Sequence, residues 1–166
     1  MRIVDLLNHS NPNIQKPALI TLENLLVGTC QQTQQDISCG LLLHFTRLFV
    51  HPNKCITKNI MWTISSITVY NVCKKFCYHS NDVQFLIEQG MIQHLCGGLD
   101  MDSCVSSVIL EGLKVILNYA DKSQKVITKI IEDCGGVEQI KALQHHTNED
   151  VKQKSLHLLE VYWKAY

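Results

Sequence analysis

The sequence predicts an all-α solenoid, a chain of helical repeats stacked side by side. Four stretches align without gaps, starting at Ile14, Ile56, Val105 and Val151. Apolar residues recur five, eight and eleven places after each start, the spacing of a helix with one buried face. They are Leu19, Met61, Leu110 and Leu156; Leu22, Ile64, Leu113 and Leu159; and Leu25, Ile67, Ile116 and Tyr162. The starts lie 42, 49 and 46 residues apart, a period typical of repeats that bury their apolar faces only against neighbouring repeats.

The segments between these stretches predict a helix triplet in each repeat. A short amphipathic segment, a glycine, an apolar helix, a turn and a longer helix follow one another in the same order. We therefore expect a single domain over residues 1–166, made of a partial repeat (1–28), two repeats (31–70 and 82–119) and a C-terminal capping repeat (123–166). Residues 2–9 have the pattern of a middle helix whose first helix is absent.

Two local features qualify the helix boundaries. Asn11 and Pro12 predict the start of the first long helix, because asparagine can cap free amides and proline fits a first turn. Pro17 lies further inside that helix and predicts a kink or a split. Residues 71–81 predict an inserted loop or an extended helix end.

Composition excludes several classes of function. Fifteen Lys and Arg balance fifteen Asp and Glu, so the basic excess typical of a nucleic-acid binder is missing. The longest apolar runs are shorter than the roughly 20 residues of a membrane helix. Eight cysteines at no framework spacing favour a reducing, intracellular compartment. We expect no nucleic-acid partner and no membrane partner.

One face of each long helix is a candidate binding surface. Residues six and ten places after each start are four apart and therefore share a face. These pairs are Ile20 with Asn24, Trp62 with Ser66, Glu111 with Val115, and His157 with Val161. Trp62 could support the aliphatic stem or charge of a basic side chain, and Asn24 could hydrogen-bond an extended backbone. The alternative for Trp62 is burial in the core, where a single helical tryptophan is usually found.

Metal binding and catalysis are weaker alternatives. Cys73, Cys77 and His79, with Cys55 or His51, could supply four zinc ligands, but their spacing matches no standard finger. No positioned nucleophile and base, carboxylate pair or phosphate-binding glycine loop is visible. We therefore expect a non-enzymatic protein without a metal or cofactor.

Residues 61–68 read M-W-T-I-S-S-I-T, and residues 17–28 read P-A-L-I-T-L-E-N-L-L-V-G. These segments resemble W-T-I-S-N-I-T and P-A-L-R-A-x-G-N-I-V-T-G of importin alpha, the family that binds nuclear localisation signals. Residues 32–34 match the downstream Q-T-Q. Residues 87–96 resemble V-x-x-G-C-I-x-P-L-C, and residues 131–162 resemble the final repeat. The resemblance covers the whole chain but only the C-terminal part of the family's domain.

This resemblance implies an armadillo-repeat right-handed superhelix and an adaptor role in nuclear protein import, in cytoplasm and nucleus. In the family, groove Trp and Asn side chains clamp the extended signal peptide, and Trp62 and Asn24 match one of each. Departures are Ser66 at the paired asparagine, Ile20 at an arginine, Val27 at a threonine and Asn59 at an acidic residue. The long 49-residue step corresponds to a missing repeat. We expect peptide-binding residues Trp62, Asn24, Ser66 and Ile20 in a residual minor groove with weakened affinity.

A second interpretation places binding in the C-terminal repeat, about Ser123 to Tyr166. In full-length relatives this end meets an export receptor and a nuclear-pore protein. Acidic residues there offer a surface: Glu132, Asp133, Glu138, Glu149, Asp150 and Glu160. The family's arginine-rich segment, which binds importin beta, has no counterpart in this sequence, so no importin beta binding is expected.

Overall fold

The computed structural model describes residues 3–26, 45, 47–73, 87–120 and 123–164. Throughout these ranges the regular elements are helical, and no β-strand occurs in them. They fall into two compact units, Met1–His79 and Ser80–Tyr166. None of the described helices is long and apolar enough to cross a membrane. The predicted all-α class is confirmed.

The first unit is built around two long helices. Helix α1 (Ile3–Leu6) packs against α2 (Pro12–Leu26), which packs along α3 (Lys54–Cys73). The apolar positions predicted from the repeat meet between α2 and α3 and are buried: Leu19, Leu22, Ile56, Met61 and Ile64. This packing orients the remaining faces of both helices, including the candidate binding face.

The second unit contains one complete helix triplet preceded by a helix pair. The pair is α4 (Met91–Cys96) and α5 (Ser103–Tyr119), and the triplet is α6 (Gln124–Asp133), α7 (Gly136–Leu143) and α8 (Glu149–Tyr162). Helix α8 packs along α5 and against α7. Glycines with positive φ begin both middle helices, Gly90 at 66° and Gly135 at 75°. The predicted triplet order is therefore present over residues 124–162.

Three of the turns before the long helices share a His-x-Asn cap. Histidine Nδ1 accepts a hydrogen bond from the asparagine backbone N–H, at 3.0 Å for His9–Asn11 and His51–Asn53 and 2.9 Å for His146–Asn148. Each asparagine Oδ1 then accepts from the backbone N–H two residues later. These bonds satisfy amides that a helix start leaves free. The predicted start at Asn11-Pro12 is confirmed.

The polar residue that follows three of the repeat starts is buried. Side chains of Gln15, Thr57 and Ser106 donate to backbone carbonyls of the preceding segment, those of Leu7, His51 and Leu99, at 3.0 to 3.1 Å. A buried carbonyl without a partner is costly, so each bond fixes the chain that enters the long helix. In the fourth repeat Lys152 occupies the place and instead approaches Glu149.

Some boundary predictions are wrong. Helix α2 continues through Pro17, so the predicted split does not occur. Proline lacks the N–H that would bond the carbonyl of Asn13, and Asn13 is exposed. Leu25, counted among the apolar places of the buried face, is 49% exposed on α2. Helix α1 covers only part of the expected residues 2–9. The predictions for residues 31–44 and 74–81 lie outside the described residues.

Candidate functional site

The predicted α2 residues lie on an exposed face. Ile20 is 41% exposed and Asn24, one turn later, is also exposed. A free asparagine amide offers two donors and a carbonyl acceptor, the groups that an extended peptide backbone can pair with. This face is accessible to a ligand.

The predicted α3 residues, Trp62 and Ser66, are half-buried. Trp62 is thus neither a core residue, the alternative considered from the sequence, nor fully exposed. Trp163, in contrast, is 5% exposed and belongs to the core. Part of the Trp62 indole remains available as a surface.

The sequence interpretation missed Glu23, which precedes Asn24 on α2. The hydroxyl of Thr63, the residue after Trp62 on α3, lies 3.5 Å from the half-buried carboxylate of Glu23. Burial raises the pKa of Glu23, and interactions with Trp62 and Thr63 oppose that rise. A carboxylate therefore stands beside the predicted aromatic platform.

The Thr63 hydroxyl contributes little as a hydrogen-bond donor to the Glu23 carboxylate. The Thr63 hydroxyl lies 3.5 Å from Glu23 Oε2 and 2.8 Å from the Asn59 backbone carbonyl. A hydroxyl has one proton, and the shorter contact takes it. Trp62 offers a single donor, its indole N–H, so the Glu23 carboxylate keeps acceptor capacity beyond these contacts.

Asn59 does not replace the acidic residue expected at its place. Its Nδ2 is buried, and no described residue accepts a hydrogen bond from it. The amide nitrogen is therefore not available to solvent. Around Trp62, the described carboxylate is that of Glu23 on the neighbouring helix.

The equivalent places in the second unit form a different surface. Glu111 is half-buried and pairs with Lys114 at 3.2 Å, while Val115 is 7% exposed. On α8, His157 is exposed and Val161 is 45% exposed. The pattern of aromatic, amide and carboxylate groups seen in the first unit is absent from the described part of α5 and α8 at these places.

Most acidic residues proposed for the C-terminal repeat already have partners. Glu132 accepts from the Trp163 indole at 3.0 Å and lies near Lys129, which pairs with Asp133 at 2.7 Å. Glu138, Glu149 and Asp150 each pair with a lysine one turn away. Hydrogen bonds from Gln153 and Lys152 lower the pKa of the exposed Glu149. These charges form short-range pairs on helix faces.

Most of the side chains proposed as zinc ligands lie outside the described residues. Cys77, His79 and the side chain of Cys73 lie outside them, and Cys55 is an exposed free thiol. Among the residues that the structure does describe, no group of three or more metal-ligating side chains occurs.

Comparison with known proteins identifies the relatives of this chain. Residues 125–165 match the atypical Arm repeat. The chain is 28% identical to importin subunit alpha-1a of Oryza sativa subsp. japonica, and 30% identical to importin subunit alpha-4 of Arabidopsis thaliana; each match covers 98% of this chain. It spans 39% and 38% of those relatives.

Two designed proteins share the fold. A designed armadillo repeat protein in complex with the peptide (KR)4 superposes with a TM-score of 0.78 at 23% identity, over 96% of this chain and 62% of its own. A computationally designed armadillo repeat protein for modular peptide recognition gives 0.78 at 23% identity, over 95% of this chain and 62% of its own. Both show that the fold is that of armadillo repeats.

The alignment with the rice relative also bears on repeat number. It has 218 positions, whereas this chain has 166 residues, so at least 52 positions lie opposite gaps in this chain. That excess is close to the length of one repeat. The match to importin subunit alpha-5 of Arabidopsis thaliana, by contrast, covers 93% of this chain in 161 positions, so the alignments differ on whether a repeat is missing.

Proposed function

We propose that this chain, which is related to the C-terminal armadillo repeats of importin alpha subunits, is a non-enzymatic adaptor that binds extended basic peptides. The observation that carries the proposal is the half-buried Trp62 beside the Glu23 carboxylate. Nuclear localisation signals are the basic peptides that the relationship favours. The site consists of Ile20, Glu23 and Asn24 on α2, with Trp62 and Ser66 on α3.

Each group has a distinct task in this proposal. Asn24 pairs with the peptide backbone, and the accessible part of the Trp62 indole stacks against an aliphatic stem or a cation. Ile20 adds apolar surface. Positively charged side chains then meet an aromatic face and a carboxylate, the two surfaces that attract them.

Affinity in this site is weak. Ser66 and Ile20 lack the donors of asparagine and arginine, and each lost hydrogen bond to a peptide costs about 1 to 3 kcal/mol, roughly one to two powers of ten. Binding in the high micromolar range or weaker is expected.

Long-range electrostatics do not help the peptide approach the first unit. Residues 1–79 contain three acidic and seven basic side chains. Screening limits such fields to about 8 Å at physiological salt, so groups in direct contact decide the affinity. Recognition therefore depends on the immediate surroundings of Trp62.

The test is titration of a dye-labelled basic peptide, followed by fluorescence anisotropy. Trp62→Ala and Asn24→Ala should each weaken binding, because they remove the stacking surface and the backbone contact. Asn13→Ala is the matched control, since Asn13 is also an exposed asparagine of α2. A peptide with glutamine in place of its basic residues should not bind. Equal isotherms for the wild type and Trp62→Ala would reject the proposal.

The second candidate is binding of an export receptor or nuclear-pore protein through the C-terminal repeat. It is favoured by the exposed α8 surface around His157, Glu160 and Val161 in the segment that matches the atypical Arm repeat. Val161→Asp should then abolish capture of an export receptor and leave peptide binding unchanged. Either activity places the protein in cytoplasm and nucleus.

A further inference from the structure

We propose that Glu23 forms the ion pair with an arginine of the bound peptide, while the guanidinium or its stem stacks on Trp62. This inference rests on the proposed function and names the residue that gives it specificity. Glu23 was absent from the sequence-based site, and the importin alpha pattern quoted above has glycine at its place. The argument comes from the surroundings of its carboxylate.

The first step concerns the charge. No lysine or arginine among the described residues forms an ion pair with Glu23, and the other acidic residue described in the first unit, Asp5, lies on α1. Partial burial without a cation leaves a carboxylate poorly compensated. A ligand cation can supply the compensation that the described chain does not.

The second step concerns geometry. The carboxylate has about four acceptor sites. Of its described contacts, the Trp62 indole can occupy one, and the Thr63 proton is taken by the Asn59 carbonyl at 2.8 Å. At least one acceptor site of the carboxylate can therefore take a hydrogen bond from a ligand. Because Thr63, whose hydroxyl lies 3.5 Å from the Glu23 carboxylate, directly follows Trp62 on α3, a single ligand side chain can contact both Glu23 and Trp62.

The third step identifies the cation. A guanidinium is planar, stacks on an aromatic ring and presents parallel donors to a carboxylate, whereas an ammonium is a compact and strongly hydrated point charge. A site that combines an indole with an adjacent carboxylate therefore selects arginine over lysine. The arginine comes from an extended peptide, since Asn24 on the same face offers the backbone contact.

The experiment uses the full chain and two dye-labelled peptides that differ only in having arginine or lysine at every basic position. The variant is Glu23→Gln, which keeps shape and an acceptor for the indole but removes the charge. Asp100→Asn is the control, because Asp100 is an exposed acidic residue in the other unit. Circular dichroism and gel filtration verify that each variant is folded.

We expect the wild type to prefer the arginine peptide. Glu23→Gln should weaken its binding by roughly 3- to 10-fold, the range of a partly exposed charge-assisted contact, and should reduce the preference over lysine. Asp100→Asn should change neither the affinity for the arginine peptide nor the preference over lysine. Raising the salt concentration should reduce the difference in peptide affinity between the wild type and Glu23→Gln, because salt screens the ion pair.

The outcomes separate the inference from the proposed function. If the wild type binds and Glu23→Gln binds equally well or more tightly, Glu23 is not the ion-pair partner, although the groove remains. If the arginine and lysine peptides bind alike, the stacked arginine is rejected. Absence of any peptide binding to the folded wild type overturns both the function and the inference.

Discussion

The Trp163 indole nitrogen donates a hydrogen bond of 3.0 Å to Oε1 of Glu132, joining residues 31 positions apart. Trp163 follows α8 and is 5% exposed, while Glu132 lies near the end of α6. The bond and the buried ring together tie the end of the chain to the first helix of its triplet. Trp163 is therefore a structural tryptophan.

Substitution of Trp163 should show two separable contributions. Trp163→Phe keeps most of the buried ring and loses the donor, so it should lower the free energy of unfolding by about 1 kcal/mol, since the exposed Glu132 can bind water instead. Trp163→Ala should cost about 3 to 5 kcal/mol through the cavity. Urea unfolding followed by circular dichroism measures both. Equal losses for the two variants would mean that packing contributes little.

Local features were predictable from the sequence because their causes lie within a few residues. The cap at Asn11 and the apolar spacing of α5 follow from composition and period alone. Leu25 was predicted wrongly, because the period gives a helix face but not what covers it. The split predicted at Pro17 does not occur, since the rest of α2 continues beyond it.

The candidate site could be predicted only in part from the sequence. The spacing along the helices predicts four of the site residues, Ile20, Asn24, Trp62 and Ser66. Glu23 becomes a candidate only because it lies near Trp62, which is 39 residues away in the sequence. A glutamate between Leu22 and Asn24 has the appearance of an ordinary solvated charge. Only the packing of α2 against α3 brings the two side chains together.

Glu23 should also affect stability in a pH-dependent way. Burial raises its folded-state pKa above the ordinary 4.5, so the folded state holds the proton more tightly than the unfolded state. The resulting stabilisation is present below 4.5 and is lost as the pH rises through the folded pKa. Glu23→Gln, which cannot ionise, should gain stability relative to the wild type across this window.

Urea unfolding of both proteins at about pH 4 and about pH 7 tests this expectation. Asp100→Asn serves again as the reference for removal of an exposed charge. A wild type that becomes more stable relative to Glu23→Gln at the higher pH would contradict the sign. Together with weaker peptide binding, a gain in stability would show that the charge is retained for recognition and not for folding.

The thiols of Cys96 and Cys134 should differ in reactivity although they interact. Cys96 is 1% exposed, and burial, followed by the neighbouring Cys134, raises the pKa of its thiol. Since the thiolate is the reactive form, Cys96 should resist maleimide in the folded protein. Exposed Cys134 and Cys104 should be modified first. Mass spectrometry of peptides at increasing labelling times measures the order, and early modification of Cys96 would indicate local opening of the second unit.

Alanine substitutions at the two adjacent glycines that begin α7, Gly135 and Gly136, should destabilise the protein for different reasons. Gly135 has a φ of 75° and no atom within 4 Å of an added Cβ, so Gly135→Ala should cost about 1 to 2 kcal/mol through backbone strain alone. Gly136→Ala would place Cβ 2.7 Å from Cys96 Sγ and 2.9 Å from Ile131 Cγ2, so it should cost about 1 to 3 kcal/mol through overpacking.

A second substitution distinguishes the two causes. Cys96→Ala should relieve part of the Gly136→Ala defect, and the Ile131 carbonyl at 3.1 Å from the added Cβ keeps the relief incomplete. The same substitution should not relieve Gly135→Ala. Asparagine, which tolerates positive φ, should be less harmful than alanine at residue 135. Thermal unfolding of the single and double variants gives the coupling, and additive losses for Cys96→Ala with Gly136→Ala would show that the sulfur is not the obstacle.

The His-x-Asn cap before α8 should make a measurable contribution to the last repeat. Asn148 Oδ1 accepts from the backbone N–H of Asp150 and Val151, at 3.0 and 3.4 Å, and its own N–H donates to His146 Nδ1 at 2.9 Å. Asn148→Ala should cost about 0.5 to 2 kcal/mol, and Asn148→Asp much less, because aspartate retains the acceptor. His146→Ala removes only the second bond and should cost less than Asn148→Ala. Urea unfolding measures all three, and equal stability of Asn148→Ala and the wild type would mean that water replaces the cap at no cost.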